Sequence, residues 1–121
     1  NVDASYYDLI VTGDLGKIGR ETALSLFKKH GTDMDETRFC DCGIMIYREE
    51  QKVLSGASGP GCSATVVYGH LLNRMKKGEL NRILVVATGA LLSPLSFQQN
   101  DTIPCIAHAV SIENVSKEEM L

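Results

Sequence analysis

Residues 80 to 94 read LNRILVVATGALLSP. Ile83 to Val86 form an unbroken aliphatic run, preceded by a basic turn and followed by Ala-Thr-Gly-Ala. Such a run without polar alternation is the pattern of a strand covered on both faces, and the glycine behind it marks a tight turn. The stretch predicts a buried strand over Ile83 to Thr88, with a ligand held near the turn at its end.

Upstream, Ala64, Val67, Tyr68, Leu71, Leu72 and Met75 recur at helical spacing, while Arg74, Lys76 and Lys77 crowd the last turn ahead of Gly78. They predict a core-facing helix with a basic C-terminal end. Downstream, after a loop from Pro94 to Pro104, Ile106, His108, Val110 and Ile112 alternate with Ala107, Ala109, Ser111 and Glu113, which predicts a last strand beside the preceding one. A helix between two strands in this order implies parallel pairing through a crossover.

At the other end of the chain, Tyr6 to Thr12 (YYDLIVT) reads as a strand running into Gly13-Asp14-Leu15-Gly16. A helix follows from Lys17 to His30, with Ala23, Leu26, Phe27 and His30 on one face and Gly31 as its stop. Thr32 to Arg38 is a polar connection, Gly43 to Tyr47 (GIMIY) is read as extended, and Ser55 to Gly61 is a glycine-rich loop before the long helix. The tail from Asn114 to Leu121 is polar and is expected to fray. The order predicts a single α/β domain with a mixed sheet. Only three strands are clear, few for an independent sheet of this kind, and the chain begins one turn before a strand, so it reads as a piece of something larger.

The 121 residues, 44% of them hydrophobic, suffice for one core. A net charge of -3 and a pI near 5.5 leave no basic field for a nucleic acid backbone. No apolar segment reaches the roughly 18 residues that span a bilayer, so any membrane association is expected to be peripheral. The four cysteines, Cys40, Cys42, Cys62 and Cys105, are too sparse for a disulfide-stapled domain and read as reduced, buried thiols. Cys40 and Cys42 form a C-x-C pair, but without a partner pair at zinc-site spacing.

Three places carry potential chemistry. The loop SGASGPGCS, residues 55 to 63, gathers backbone amides at a helix start, which suits either a bound carboxylate or phosphate or a close backbone contact. Cys62 stands in the first helical turn, where the dipole lowers a thiol pKa, and His108 is the one histidine of the three expected near a pocket. A Cys62/His108 dyad is conceivable, although spacing does not argue for it. Gly13 and Asp14 end a strand where α/β proteins contact ligands; Asp14 is expected to cap the following helix, which leaves the Gly13 backbone as the contact.

Taken together, YDLIVTGDLGKIG, DCGIMIY, SGASGPGCSATV, LNRILVVATGALLSP and QQNDTIPCIAHAV closely resemble the C-terminal part of the stage V sporulation protein AD family, thiolase-like proteins of spore-forming bacteria. The resemblance implies a thiolase-like layered αβ sandwich, of which residues 1 to 121 form part of the C-terminal half. It implies a role in spore formation, in which dipicolinic acid, alone or with calcium, is bound and moved into the developing spore. Further implied partners are sporulation membrane proteins and the remaining part of the chain's own fold, at a location peripheral to the inner membrane of the spore.

Condensing enzymes similar to this half place a histidine after the first strand and an asparagine or histidine in the glycine loop. Here Gly13 or Asp14 and Pro60 or Gly61 stand at those positions, so proton transfer and oxyanion stabilisation have no obvious source. The resemblance thus favours a non-catalytic binding protein over an acyltransferase or condensing enzyme. The expected ligand-binding residues are Gly13, Asp14, Gly61, Cys62, Ser63, Thr88, Gly89, Ala90 and His108. No catalytic residue, metal ligand or cofactor is expected.

Overall fold

In the computed structural model, which describes residues 2–115, four strands form one mixed sheet. They are β1 (Leu9–Thr12), β2 (Phe39–Asp41), β3 (Arg82–Ala90) and β4 (Cys105–Glu113), in the spatial order β2-β1-β3-β4. β1 lies parallel to both of its neighbours, with Val11 opposite Cys40 on one side and Val85 on the other. All four of its residues are buried, as expected of a strand paired on both edges and covered on both faces. β4 runs antiparallel to β3, with Val110 opposite Val85.

Two helical crossovers make the parallel pairs possible. α1 (Gly16–Lys29) connects β1 to β2, and a continuous helical run leads to β3 through α3 (Gly61–Val66), a π-helical turn (Val67–Leu71) and α4 (Leu72–Lys76). Between β2 and that run lies one short helix, α2 (Cys42–Met45). The core joins Leu9, Val11 and Ile83 of the sheet to Cys62, Val66, Val67, Leu71 and Met75 of the helical run. α1 packs more lightly: Phe27 meets Phe39 edge to face at 5.4 Å, while Leu26 and His30, expected on its core face, are exposed.

Several expectations need correction. GIMIY is not extended: α2 occupies its first part, and the strand lies just ahead in Phe39–Asp41, because the Asp41 side chain accepts from the Ile44 amide and turns the chain into a helix. Tyr68, expected in the core, is 72% exposed. The π turn inserts an extra residue, so the buried positions pass from Val67 to Leu71 and rotate Tyr68 outward. Tyr6 belongs to a short 3-10 turn (Ala4–Tyr6), not to β1, and its ring lies beneath the Arg82 guanidinium at 4.4 Å. The loop after Pro94 contains α5 (Pro94–Gln98), capped by the Ser93 side chain. Cys105 is exposed and Cys40 only partly buried, so just two of the four thiols are sealed in the core.

The tail does not fray at its first residue. The Asn114 amide donates to Asn81 O at 2.8 Å, and its side chain donates to Met75 O at 2.9 Å and Leu80 O at 3.2 Å. Residues 116–121 lie outside the described residues.

β1 and β3 start together because the Asp8 carboxylate accepts from the amides of Asn81 (2.7 Å) and Arg82 (2.9 Å). These two amides hold the Asp8 carboxyl below its ordinary range, the Asn81 contact contributing most. A carboxyl depressed in the folded state stabilises above its unfolded pKa, and that contribution disappears as pH falls through the folded value. Asp8→Asn is therefore expected to lower the melting temperature at pH 6. The gap from wild type should close as pH drops below about 4, read by thermal unfolding across that range.

Candidate functional site

The C-terminal ends of β1 and β2 meet at one carboxylate. Asp41, 1% exposed, accepts hydrogen bonds from Thr12 Oγ1 (2.6 Å), Leu15 N (2.8 Å), Gly16 N (3.0 Å) and Ile44 N (3.3 Å). The Leu15 and Gly16 amides belong to the first turn of α1 and the Ile44 amide to α2, so one buried side chain caps two helices. Asp14, expected to cap α1, does not. It stands one residue ahead of Leu15, which is already helical, and its carboxylate accepts from Gly59 N at 2.8 Å.

That bond is one of several that seat the glycine-rich loop. Lys17 N donates to Ser55 O and Ala57 N to Gly43 O, both at 2.8 Å, and Cys62 N donates to Gly59 O at 3.2 Å. A side-chain carbon on Gly43 would stand 2.5 Å from Ala57 O. One on Gly56, whose φ is 139°, would stand 2.8 Å from Gly43 O. Both positions therefore exclude a Cβ. Of the two readings of the loop, close backbone contact describes most of its amides, and the anion that reaches it is Asp14's own carboxylate.

A second meeting point lies beside the first. A Cβ built on Gly13 would lie 3.5 Å from Thr88 Oγ1 and 3.9 Å from Ser63 Cβ, so the turn after β1, the first turn of α3 and the end of β3 converge. Because Thr12 pairs with Val86, Thr88 extends past the end of β1. Its Oγ1 is buried and has no hydrogen-bond partner among the described residues. Ser63 Oγ reaches only Pro60 O, at 3.5 Å, the limit of a hydrogen bond.

Of the residues expected to bind a ligand, the structure thus gathers Gly13, Ser63 and Thr88, with Asp14 tied through Gly59 to the loop that carries Gly61 and Cys62. Gly89 and Ala90 continue β3 opposite Ile106 and Cys105 and are exposed. His108 is exposed on β4 opposite Ala87, outside any pocket, because β4 is an edge strand. No hydrogen bond joins it to Cys62, which is sealed in the core.

The thiols are tuned away from nucleophilic chemistry. Burial raises the Cys62 thiol above its ordinary range, with the Asp14 and Asp41 carboxylates adding to the effect. First-turn placement alone predicts the opposite direction, but loss of water outweighs the helix end. Cys42 is pushed up to about 12, first by burial and then by Asp41. Among the described residues, no three His, Cys, Asp or Glu side chains are grouped to hold a metal ion.

The open cavities lie elsewhere. One of about 370 Å³ is lined by Lys17, Arg20, Thr37 and Phe39, and one of about 650 Å³ follows α1 past Leu24, Phe27 and Asp33. Arg20 spans the region, donating to Phe39 O at 2.8 Å and Glu36 O at 2.6 Å. Neither cavity is lined by Gly13, Ser63 or Thr88.

Asp41 was missed in the sequence. An aspartate directly after a short apolar pair and three residues before Ile44 fits an N-cap, yet nothing local shows that it also reaches back to α1.

The model of the family described as stage V sporulation protein AD matches residues 1–113. Stage V sporulation protein AD of Bacillus subtilis (strain 168) is 48% identical over 113 residues, covering 93% of this chain and 33% of that protein. The chain spans about a third of the length of the curated relative it matches.

Asp41→Ala leaves Leu15, Gly16 and Ile44 without their acceptor, and it is expected to destabilise by about 3–5 kcal/mol in urea unfolding. Thr12→Val, which removes one donor, should cost about 1 kcal/mol. Alkylation by iodoacetamide at pH 8, followed by peptide mass analysis, should modify exposed Cys105 first and reach Cys42 and Cys62 only in denaturant. Early labelling of Cys62 would contradict its burial.

Proposed function

Because the chain belongs to the stage V sporulation protein AD family, we propose that it is the C-terminal portion of a non-catalytic, thiolase-like sporulation protein. The whole protein binds dipicolinic acid and supports its uptake into the developing spore. The sporulation role is supported by the identity to the Bacillus subtilis protein of that name. Binding in place of bond-making is supported by one observation above all: at the strand ends, where an acyl-transfer enzyme would carry proton-transfer groups, Gly13 leaves space and Thr88 offers an unpartnered buried hydroxyl. The thiol nearest in the loop, Cys62, is held protonated by burial.

A pyridine with two carboxylates suits such a place. It is flat, carries several acceptors and is recognised by hydroxyls and backbone amides at strand ends without a basic side chain. No helix among the described residues is long and apolar enough to cross a membrane, which fits attachment at the inner membrane of the spore through other sporulation proteins.

The remaining two thirds of the family protein supply the rest of the pocket. Support comes from the surface: β4 is exposed along nearly all its length, and Leu91, Leu92, Leu95 and Phe97 at the β3–β4 tip are 60–84% exposed. Apolar area of this kind is normally covered.

Isothermal titration of the protein extended to the full length of the family is expected to give saturable heat with dipicolinate, with and without calcium. No heat at millimolar dipicolinate would sink the reading. Incubation with acyl-CoA tests the acyltransferase alternative: an acyl adduct in the intact mass would favour it.

A further inference from the structure

We infer that the Thr88 hydroxyl and the missing side chain of Gly13 form a notch that takes one carboxylate of the bound ligand and so sets its specificity; the inference rests on the ligand-binding reading above. A buried hydroxyl without a partner is an anomaly, since leaving it unpaired loses more than an ordinary hydrogen bond returns. Thr88 Oγ1 is such a group, and it faces the turn at Gly13 and the first turn of α3 at Ser63.

Gly13 explains why space is left there. Its backbone does not require glycine, because its φ is outside the left-handed region that Gly16, Gly31, Gly56, Gly59 and Gly78 occupy. Crowding does not require it either: an added Cβ would meet Thr88 Oγ1 at 3.5 Å and Ser63 Cβ at 3.9 Å, ordinary contact distances. An alanine would fit and would fill the space beside the hydroxyl. A carboxylate oxygen in that space accepts from Thr88, with the weakly engaged Ser63 hydroxyl as a second donor. The neighbouring Asp14 carboxylate does not block it electrostatically, since its charge is met by the Gly59 amide at the amino end of the helical run.

The two variants separate a ligand contact from a structural one. In the full-length protein, Thr88→Val removes an unsatisfied hydroxyl, so the ligand-free melting temperature should hold or rise. Dipicolinate should nevertheless bind about tenfold to a hundredfold more weakly by isothermal titration. Thr88→Ser should bind nearly as wild type. Gly13→Ala should fold with an unchanged melting temperature and lose binding to a similar degree. Pyridine-2-carboxylate, with one carboxylate fewer, should bind weakly to all forms and discriminate little between wild type and Thr88→Val. If wild type binds dipicolinate and both Thr88→Val and Gly13→Ala bind it equally well, the notch is not the subsite, and ligand binding by the family protein stands. A melting temperature lowered by Thr88→Val overturns the inference by giving the hydroxyl a structural partner. A silent wild type removes the ligand reading and the notch together.

Discussion

One buried carboxylate organises the end of the sheet where the candidate site lies. Asp41 ends β2, caps α2 within its own segment and α1 from across the sheet, and takes the Thr12 hydroxyl at the end of β1. A charge in a core is tolerated only when hydrogen-bonded on all sides, and four donors achieve that here. Because those donors come from different elements, their relative positions are fixed together. The turn that carries Gly13 and Asp14 is held between Thr12 and Leu15, both bound to the same side chain.

The glycine-rich loop is locked onto this junction by backbone contacts. Gly43 and Gly56 allow main chains to approach where a Cβ would collide, and Ser55, Ala57 and Gly59 close hydrogen bonds to the turns after β1 and β2. The consequence reaches the helical run, since the loop fixes where α3 begins and hence where Ser63 stands. Against this background of satisfied groups, Thr88 Oγ1 stands out. Local rules are met nearly everywhere at the junction and broken at one hydroxyl, the usual signature of a place shaped for something other than stability.

The sheet's other edge has a different character. β3 and β4 extend beyond β1 as an antiparallel ribbon whose outer strand is exposed and whose tip carries leucines and a phenylalanine. An uncovered apolar edge strand invites pairing or covering. A chain that spans 33% of its Bacillus subtilis relative has reason to show such a surface. The well-packed side, with Leu71 and Ile83 fully buried, is the side that needs nothing further.

The sequence by itself determined the elements whose signal is periodic. The aliphatic run at Ile83, the alternation from Ile106 to Ile112 and the helical face ahead of Gly31 read correctly as β3, β4 and α1, because burial repeats along each of them. The meeting of Gly13, Ser63 and Thr88 was legible in part, since strand ends in a parallel sheet point the same way. What only the tertiary structure decided were single residues without period: β2, too short to show alternation; Tyr68, turned outward by a π turn; and the exchange by which Asp41 caps α1 while Asp14 binds Gly59. A local rule assigns a cap to the nearest carboxylate in the chain. The fold assigns it to the nearest in space, and the Cys62 thiol, raised by burial against its helix position, follows the same physics.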